Sequence, residues 1–260
     1  MTRIGPRSWS TRAMTASDRT LPIDGLVNAR DLGGIRLRGG GTTPTGALAR
    51  CEDADLITDA GWERLRELGY RTVLDLRQPA ERARDTHPRP EWIHVAHVDL
   101  DDLDGLDDHP DFWVPYWDTG LVGTPLCYLP HLAELPERAG AALRTIAHAP
   151  AGGVLFHCGG GRDRTGLVAL LLLLAVGAEP DDIVDDYLES IRLGPERSAN
   201  QGQPDLEPAI ADLLAERGTT SEAAFRDAMA GIDLDRFLDA VGFTDDERRA
   251  LRTWRGAIPA

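Results

Sequence analysis

One short stretch restricts this chain more than any other. In VLFHCGGGRDRTG, residues 154–166, an apolar run ends in a cysteine, three glycines follow, and an arginine stands six places after the cysteine. The run GGVLFHC (152–158) reads as a buried strand, and Leu167–Val176 as a buried helix. A chain that passes from strand to helix through Gly159, Gly160 and Gly161 can aim successive N–H groups into one concavity. The helix behind adds the positive end of its dipole. Arg164 brings a planar fork of donors that matches two phosphate oxygens. The same positive field favours the thiolate of Cys158, and a thiolate beneath a bound phosphate monoester is an in-line nucleophile. Arg162 and Asp163 complete the loop, and Thr165 is placed to hydrogen-bond the sulfur.

Two other glycine-loop chemistries fail on particular residues. Gly161 and Gly166 have the spacing of a nucleoside-triphosphate loop, but Leu167 and Val168 follow where lysine and Ser/Thr are required. Gly159 and Gly161 begin a dinucleotide fingerprint, but Arg164 occupies its third glycine position. An isolated cysteine is most often a buried structural one. A cysteine between an apolar strand and three glycines, with Arg164 at the sixth place, favours catalysis.

Composition narrows the partners. The 43 acidic residues outnumber 28 basic ones, all of them arginine, for a formal net charge of −15 over 260 residues. Such a surface repels nucleic acid and anionic lipid, so neither is an expected partner. The absence of lysine excludes Schiff-base chemistry. Cys51, Cys127 and Cys158 are widely spaced, which argues against a disulfide framework and for a reducing, cytoplasmic setting; a redox role for Cys51 or Cys127 stays open. The N-terminal stretch lacks the apolar core of a secretory signal. The run Leu167–Val176 holds ten residues, where a membrane span needs about 20. His87, His94, His97 and His109 show no ligand spacing, so no metal or other cofactor is expected.

The order of elements predicts an α/β fold. Residues 1–20 read as a disordered tail, and 21–260 as one domain with a helical extension over about 180–256. DLGGIRLRGGGTTPTGALAR reads as two short strands around a glycine-rich turn. Thr58 caps a helix bearing Trp62, Leu65 and Leu68, which Gly69 ends. RTVLDLR (71–77) and EWIHVAHV (91–98) read as strands, 99–125 as a long acidic loop, and 131–148 as a helix. Strands alternating with helices imply a central, largely parallel sheet flanked by helices. Beyond Pro180, Ile183, Tyr187 and Ile191 share one face, and Leu206, Ile210, Leu213 and Leu214 another, with a polar connection at 192–205. Thr244 and Glu247 fit a capping box for a last helix.

The loop HCGGGRDRTG resembles the signature of cysteine-dependent protein tyrosine phosphatases, and is most similar to the bacterial tyrosine/serine branch with HC-x-x-G-K-D-R-T-G. Two further segments match that branch in the same order: NARDLGG (28–34) and TVLDLRQPAE (72–81), the latter supplying Asp75, Arg77 and Glu81. Arg162 stands where the branch has lysine, and Cys51 where it usually has serine. The resemblance implies a phosphatase-like fold and a metal-independent phosphatase acting on phosphotyrosine in proteins through a phosphocysteine. The nearest alternative is the same chemistry on phosphoinositides or phosphoserine/threonine, and a small phosphomonoester is a further candidate substrate. Sulfur transfer by a rhodanese-like protein is a remote alternative, against which the R-T-G ending and NARDLGG argue.

Such a reaction needs an acid to protonate the leaving oxygen. Asp163, beside Arg164, and Asp75, at the end of a central strand, are the two leading candidates; Asp99, Asp101 and Asp102 follow. Asp31, Arg30, Arg77 and Glu81 read as braces, and His157 as a residue that orders the loop. Arg162 faces either solvent or a second substrate charge. The aromatic group Phe112, Trp113, Tyr116 and Trp117 reads equally as a lid or as a small core under a long loop.

Overall fold

The computed structural model describes residues 14–102 and 111–259, with the side chain of Phe112 outside that description. Its five strands are β1 (Arg30–Asp31), β2 (Leu48–Cys51), β3 (Tyr70–Asp75), β4 (His94–His97) and β5 (Gly153–His157). They form one sheet in the order β1-β2-β5-β3-β4, with β1 antiparallel to β2 and the other pairings parallel. Every residue of β5 is buried, as expected of a central parallel strand covered on both faces. The register sets His157 beside Cys51 on one side and Asp75 on the other. The loop that starts at Cys158 therefore leaves the carboxyl end of the sheet, where α/β folds place their sites.

Helices α1 (Asp59–Leu68) and α2 (Pro79–Arg82) precede β4, and α3 (Val114–Asp118), α4 (Tyr128–Glu134) and α5 (Pro136–His148) precede β5. After β5 come α6 (Asp163–Val176), α7 (Pro180–Arg192), α8 (Gly194–Asn200), α9 (Glu207–Glu216), α10 (Ser221–Gly231), α11 (Leu234–Ala240) and α12 (Asp245–Arg252). The Thr58 hydroxyl accepts the Gly61 N–H at 3.2 Å, and Gly69 closes α1 in the left-handed region at φ 93°, both as the sequence predicts. Leu167 to Leu173 are all buried in α6, which accounts for the unbroken apolar run: the helix packs between the sheet and α5, α7, α11 and α12. Phe225, Phe237, Leu238, Leu251 and Trp254 join this same core, so the C-terminal helices share it. On the other face, Leu155, Val73 and Cys51 pack with Trp62 and Leu65 of α1.

Several elements differ from expectation. Residues 131–148 hold two helices, because Pro136 cannot continue α4 and starts α5 instead. The acidic loop contains a 3₁₀ turn at Asp111–Trp113 that runs into α3. Within its aromatic group Trp113 is buried, donating Nε1–H to the Asp101 carbonyl at 2.9 Å, while Trp117 is exposed. The small-core reading therefore holds for Trp113; Phe112 and His109 lie outside what is described. The polar connection carries α8, and of the apolar face in α9 only Leu214 is fully buried, with Leu206 58% exposed. The tail expected to be disordered to residue 20 is ordered before that point. Ser17–Arg19 form a 3₁₀ turn, and buried Arg19 pairs with Asp186 at 2.9 Å; residues 1–13 lie outside the description. No helix among the described residues is long and apolar enough to cross a membrane.

Candidate active site

The carbonyls of the glycine loop are held from outside, one after another. Gly159 O accepts from the Asp53 amide at 3.0 Å and from Gln201 Nε2 at 2.8 Å. Asn28 Nδ2 donates to Gly160 O at 3.2 Å and to Gly161 O at 3.3 Å. Arg50 Nη2 donates to Gly161 O at 2.7 Å and to Arg162 O at 3.3 Å, and the Tyr128 hydroxyl to Asp163 O at 2.9 Å. A trans peptide points its N–H opposite to its C=O. Five carbonyls drawn outward, from Gly159 to Asp163, therefore turn the N–H groups of Gly160, Gly161, Arg162, Asp163 and Arg164 to the opposite side. Such a row of amides, continued by the N-terminus of α6, can receive an anion. Gly161 is the glycine that the path requires: its φ is +65°, and a Cβ there would overlap the Cys51 carbonyl.

Cys158 is buried at the head of this loop. Arg164 lies at its other end, where its guanidinium meets both oxygens of Glu81, with Nη2 2.7 Å from Oε1 and Nη1 on Oε2. Nη1 is also 3.3 Å from Asp101 Oδ2. Burial pushes the Glu81 carboxyl up, but the Arg164 contacts outweigh it and hold Glu81 below the usual carboxylate range. Thr165 is fully buried, and its hydroxyl has no hydrogen-bond partner among the described residues. Gly159, Gly160, Asp163 and Arg164 all line a cleft of about 510 Å³.

The candidate acids separate by their commitments. Asp75 accepts from Arg77 at Nε (3.0 Å), at Nη2 (2.8 Å) and at the backbone N–H (2.9 Å). Burial opposes its ionisation, but neighbouring His157 and Arg77 bring it down to about 2. The geometry thus commits the Asp75 carboxyl to Arg77. Asp101 accepts from Gln78 Nε2 at 2.9 Å and faces Arg164. The Oδ1 of Asp163 is buried without a hydrogen-bond partner among the described residues, and Asp163 borders the cleft. His157 is fully buried, with Nδ1 between the Ala54 amide (3.3 Å) and the Cys158 carbonyl (3.2 Å), where burial pushes its pKa down.

Arg162 is turned away from bulk solvent and borders the same cleft. It is 3% exposed, donates Nη1–H to Gly123 O at 3.2 Å, and sets Nη2 3.2 Å from Glu207 Oε2. Behind the loop, one carboxylate gathers three arginines: Asp186 pairs with Arg19 (2.9 Å), Arg30 (2.9 Å) and Arg50 (2.6 Å). Burial, against the pull of Asp186, lowers Arg30 to about 10. The bracing by Arg50, Asn28, Gln201 and Tyr128 escapes sequence reasoning, since these residues lie 35 to 133 positions from the loop residues they hold.

A family model described as "Tyrosine phosphatase family" matches residues 21–254. A candidate tyrosine-protein phosphatase of Cupriavidus necator is 34% identical over 65% of this chain, which spans 62% of that relative. The "Triple specificity protein phosphatase PtpB" of Mycobacterium tuberculosis is 32% identical, over 78% of this chain and 81% of its own length. Among solved structures, P. aeruginosa TpbA in complex with pTyr covers 94% of this chain and 100% of its own, at 18% identity and a TM-score of 0.36, a faint likeness. With a match across nearly its whole length and a cysteine–arginine cradle at the end of its central strand, the chain belongs to the tyrosine phosphatase family.

Proposed function

We propose that this chain hydrolyses phosphotyrosine in proteins without a metal, through a phosphocysteine at Cys158. The observation that carries the reading is the run of five carbonyls, Gly159 to Asp163, each held by a donor from outside the loop, which leaves the amides of Gly160 to Arg164 on the opposite side. The amides and the Arg164 fork hold the non-bridging oxygens of the phosphate. The Cys158 thiolate attacks phosphorus, the bond to the tyrosyl oxygen breaks, and Asp163 delivers its proton to that oxygen. Water then attacks the phosphocysteine, Asp163 takes back a proton, and the thiolate leaves. Thr165, with its uncommitted hydroxyl, steadies the sulfur in this second step. Asp163 is preferred to Asp75 because its Oδ1 has no hydrogen-bond partner among the described residues, whereas the carboxyl of Asp75 is locked to Arg77.

The three cysteines are free and buried, which suits a reducing, cytoplasmic setting. The net charge of −15 disfavours nucleic acid and anionic membrane as partners. The name of the Mycobacterium tuberculosis relative, a triple-specificity phosphatase, favours a second reading in which phosphoserine/threonine or phosphoinositides are also accepted. Initial rates on phosphotyrosine, phosphoserine and phosphothreonine peptides and on soluble inositol phosphates test both. The proposal expects the highest kcat/KM on phosphotyrosine; a higher value on any of the others overturns it in favour of that substrate.

A further inference from the structure

Beside the cradle, two arginines share one carboxylate. Glu207 sets Oε2 3.2 Å from Arg162 Nη2 and Oε1 3.3 Å from Arg197 Nη2. Arg162 belongs to the loop itself. Arg197, from α8, lies against it, its guanidinium carbon 3.8 Å from where a Cβ on Gly160 would sit. All three side chains line the same cleft as Arg164. The bond geometry is incomplete: Nε and Nη2 of Arg162 are buried yet have no hydrogen-bond partner among the described residues, so the Glu207 contact is an ion pair without an aligned hydrogen bond. A buried guanidinium with unused donors takes a better-fitting anion when one is offered.

Among the described residues one hydrogen bond, from Arg197 Nη2 to Oε1 at 3.3 Å, holds the Glu207 carboxylate. Burial, against the pull of Arg162 and Arg197, raises its pKa above the usual carboxylate range, so its charge is disfavoured where it lies. It begins α9, a helix that fully buries only Leu214, next to exposed Leu206. Its arm fits because position 194 is glycine: a Cβ on Gly194 would overlap Glu207 Cγ.

We propose that Arg162 and Arg197 form a second anion subsite for a further phosphate group on the substrate, and that Glu207 fills this subsite as an internal stand-in. This rests on the phosphatase reading and extends it. Glu207 thereby sets specificity. With it in place the cleft favours a singly phosphorylated substrate, and a second phosphate gains Arg162 and Arg197 only by displacing the carboxylate.

A matched pair of probes tests this: phenyl phosphate, and the bisphosphate of resorcinol, which adds one phosphate to the same ring. The readout is the ratio of kcat/KM for the bisphosphate over phenyl phosphate. Glu207→Gln is expected to raise that ratio about tenfold, the worth of one charge-assisted contact. Gly194→Ala, which pushes the Glu207 arm away without changing any charge, is expected to raise it in the same direction. Adding Arg197→Gln to Glu207→Gln cancels the gain. A ratio unchanged in Glu207→Gln, or a gain that survives loss of Arg197, overturns the proposal. An inositol bisphosphate and a doubly phosphorylated peptide, compared in the same way, identify which kind of molecule carries the second phosphate; no gain with either overturns it as well. A wild type inert toward phenyl phosphate is a separate failure, that of the phosphatase reading.

Discussion

Glu81 grips Arg164 through both of its oxygens, from a helix 83 positions earlier in the chain. The pair aims the fork that would hold phosphate, since a guanidinium fixed along one edge presents its remaining donors in a defined plane. Glu81→Gln keeps the shape and one acceptor but loses the charge. It is expected to lower kcat/KM for an aryl phosphate about tenfold. Steady-state kinetics check this, and an unchanged or higher kcat/KM means that Glu81 does not position Arg164.

Asp163 and Asp75 are separated by leaving groups. An acid that protonates the leaving oxygen matters little for a stable phenolate and much for a poor one. Asp163→Asn is therefore expected to slow a poor aryl leaving group at least tenfold more than a good one. Asp75→Asn is expected to slow both alike. The reverse pattern returns the acid role to Asp75.

Asp75 has a signature in stability. Its folded-state pKa of about 2 lies below the ordinary carboxylate value. Its stabilisation is thus present above about pH 4 and disappears as pH falls toward 2. The contribution is on the order of 2 kcal/mol. Urea midpoints at neutral pH and near pH 3 should converge for Asp75→Asn relative to wild type; an equal gap at both pH values contradicts the assignment.

The features legible in the sequence are the local ones. The Thr58 cap, the Gly69 stop and the Thr244–Glu247 capping box are each settled within a few residues of themselves, and all are present. The Cys158–Arg164 loop is legible for the same reason, because its geometry is set by the spacing and the glycines between. The supports are not. Asp186 meets Arg19 across 167 positions and Arg50 across 136, and a run such as DDIVDDYLES does not say which of its carboxylates is buried. Glu207 is hidden likewise, inside a helix whose apolar residues imply only packing.

Asp186→Asn leaves three arginines with a neutral partner in the buried cluster behind the loop. Removing one side of such a buried ion cluster costs about 3–5 kcal/mol. Chemical denaturation should show a loss of that size, together with weaker phosphate binding, because Arg50 holds the Gly161 and Arg162 carbonyls. A loss under about 1 kcal/mol contradicts the account of the cluster.

The most direct test of the central claim is to catch the covalent intermediate. Acid-quenched reactions with an aryl phosphate, followed by peptide mass spectrometry, should show one phosphoryl group on the peptide bearing Cys158. Cys158→Ser should give no turnover while still binding vanadate, and a chelator should leave the wild type active. A phosphoryl group on another residue, or normal turnover by Cys158→Ser, contradicts the mechanism.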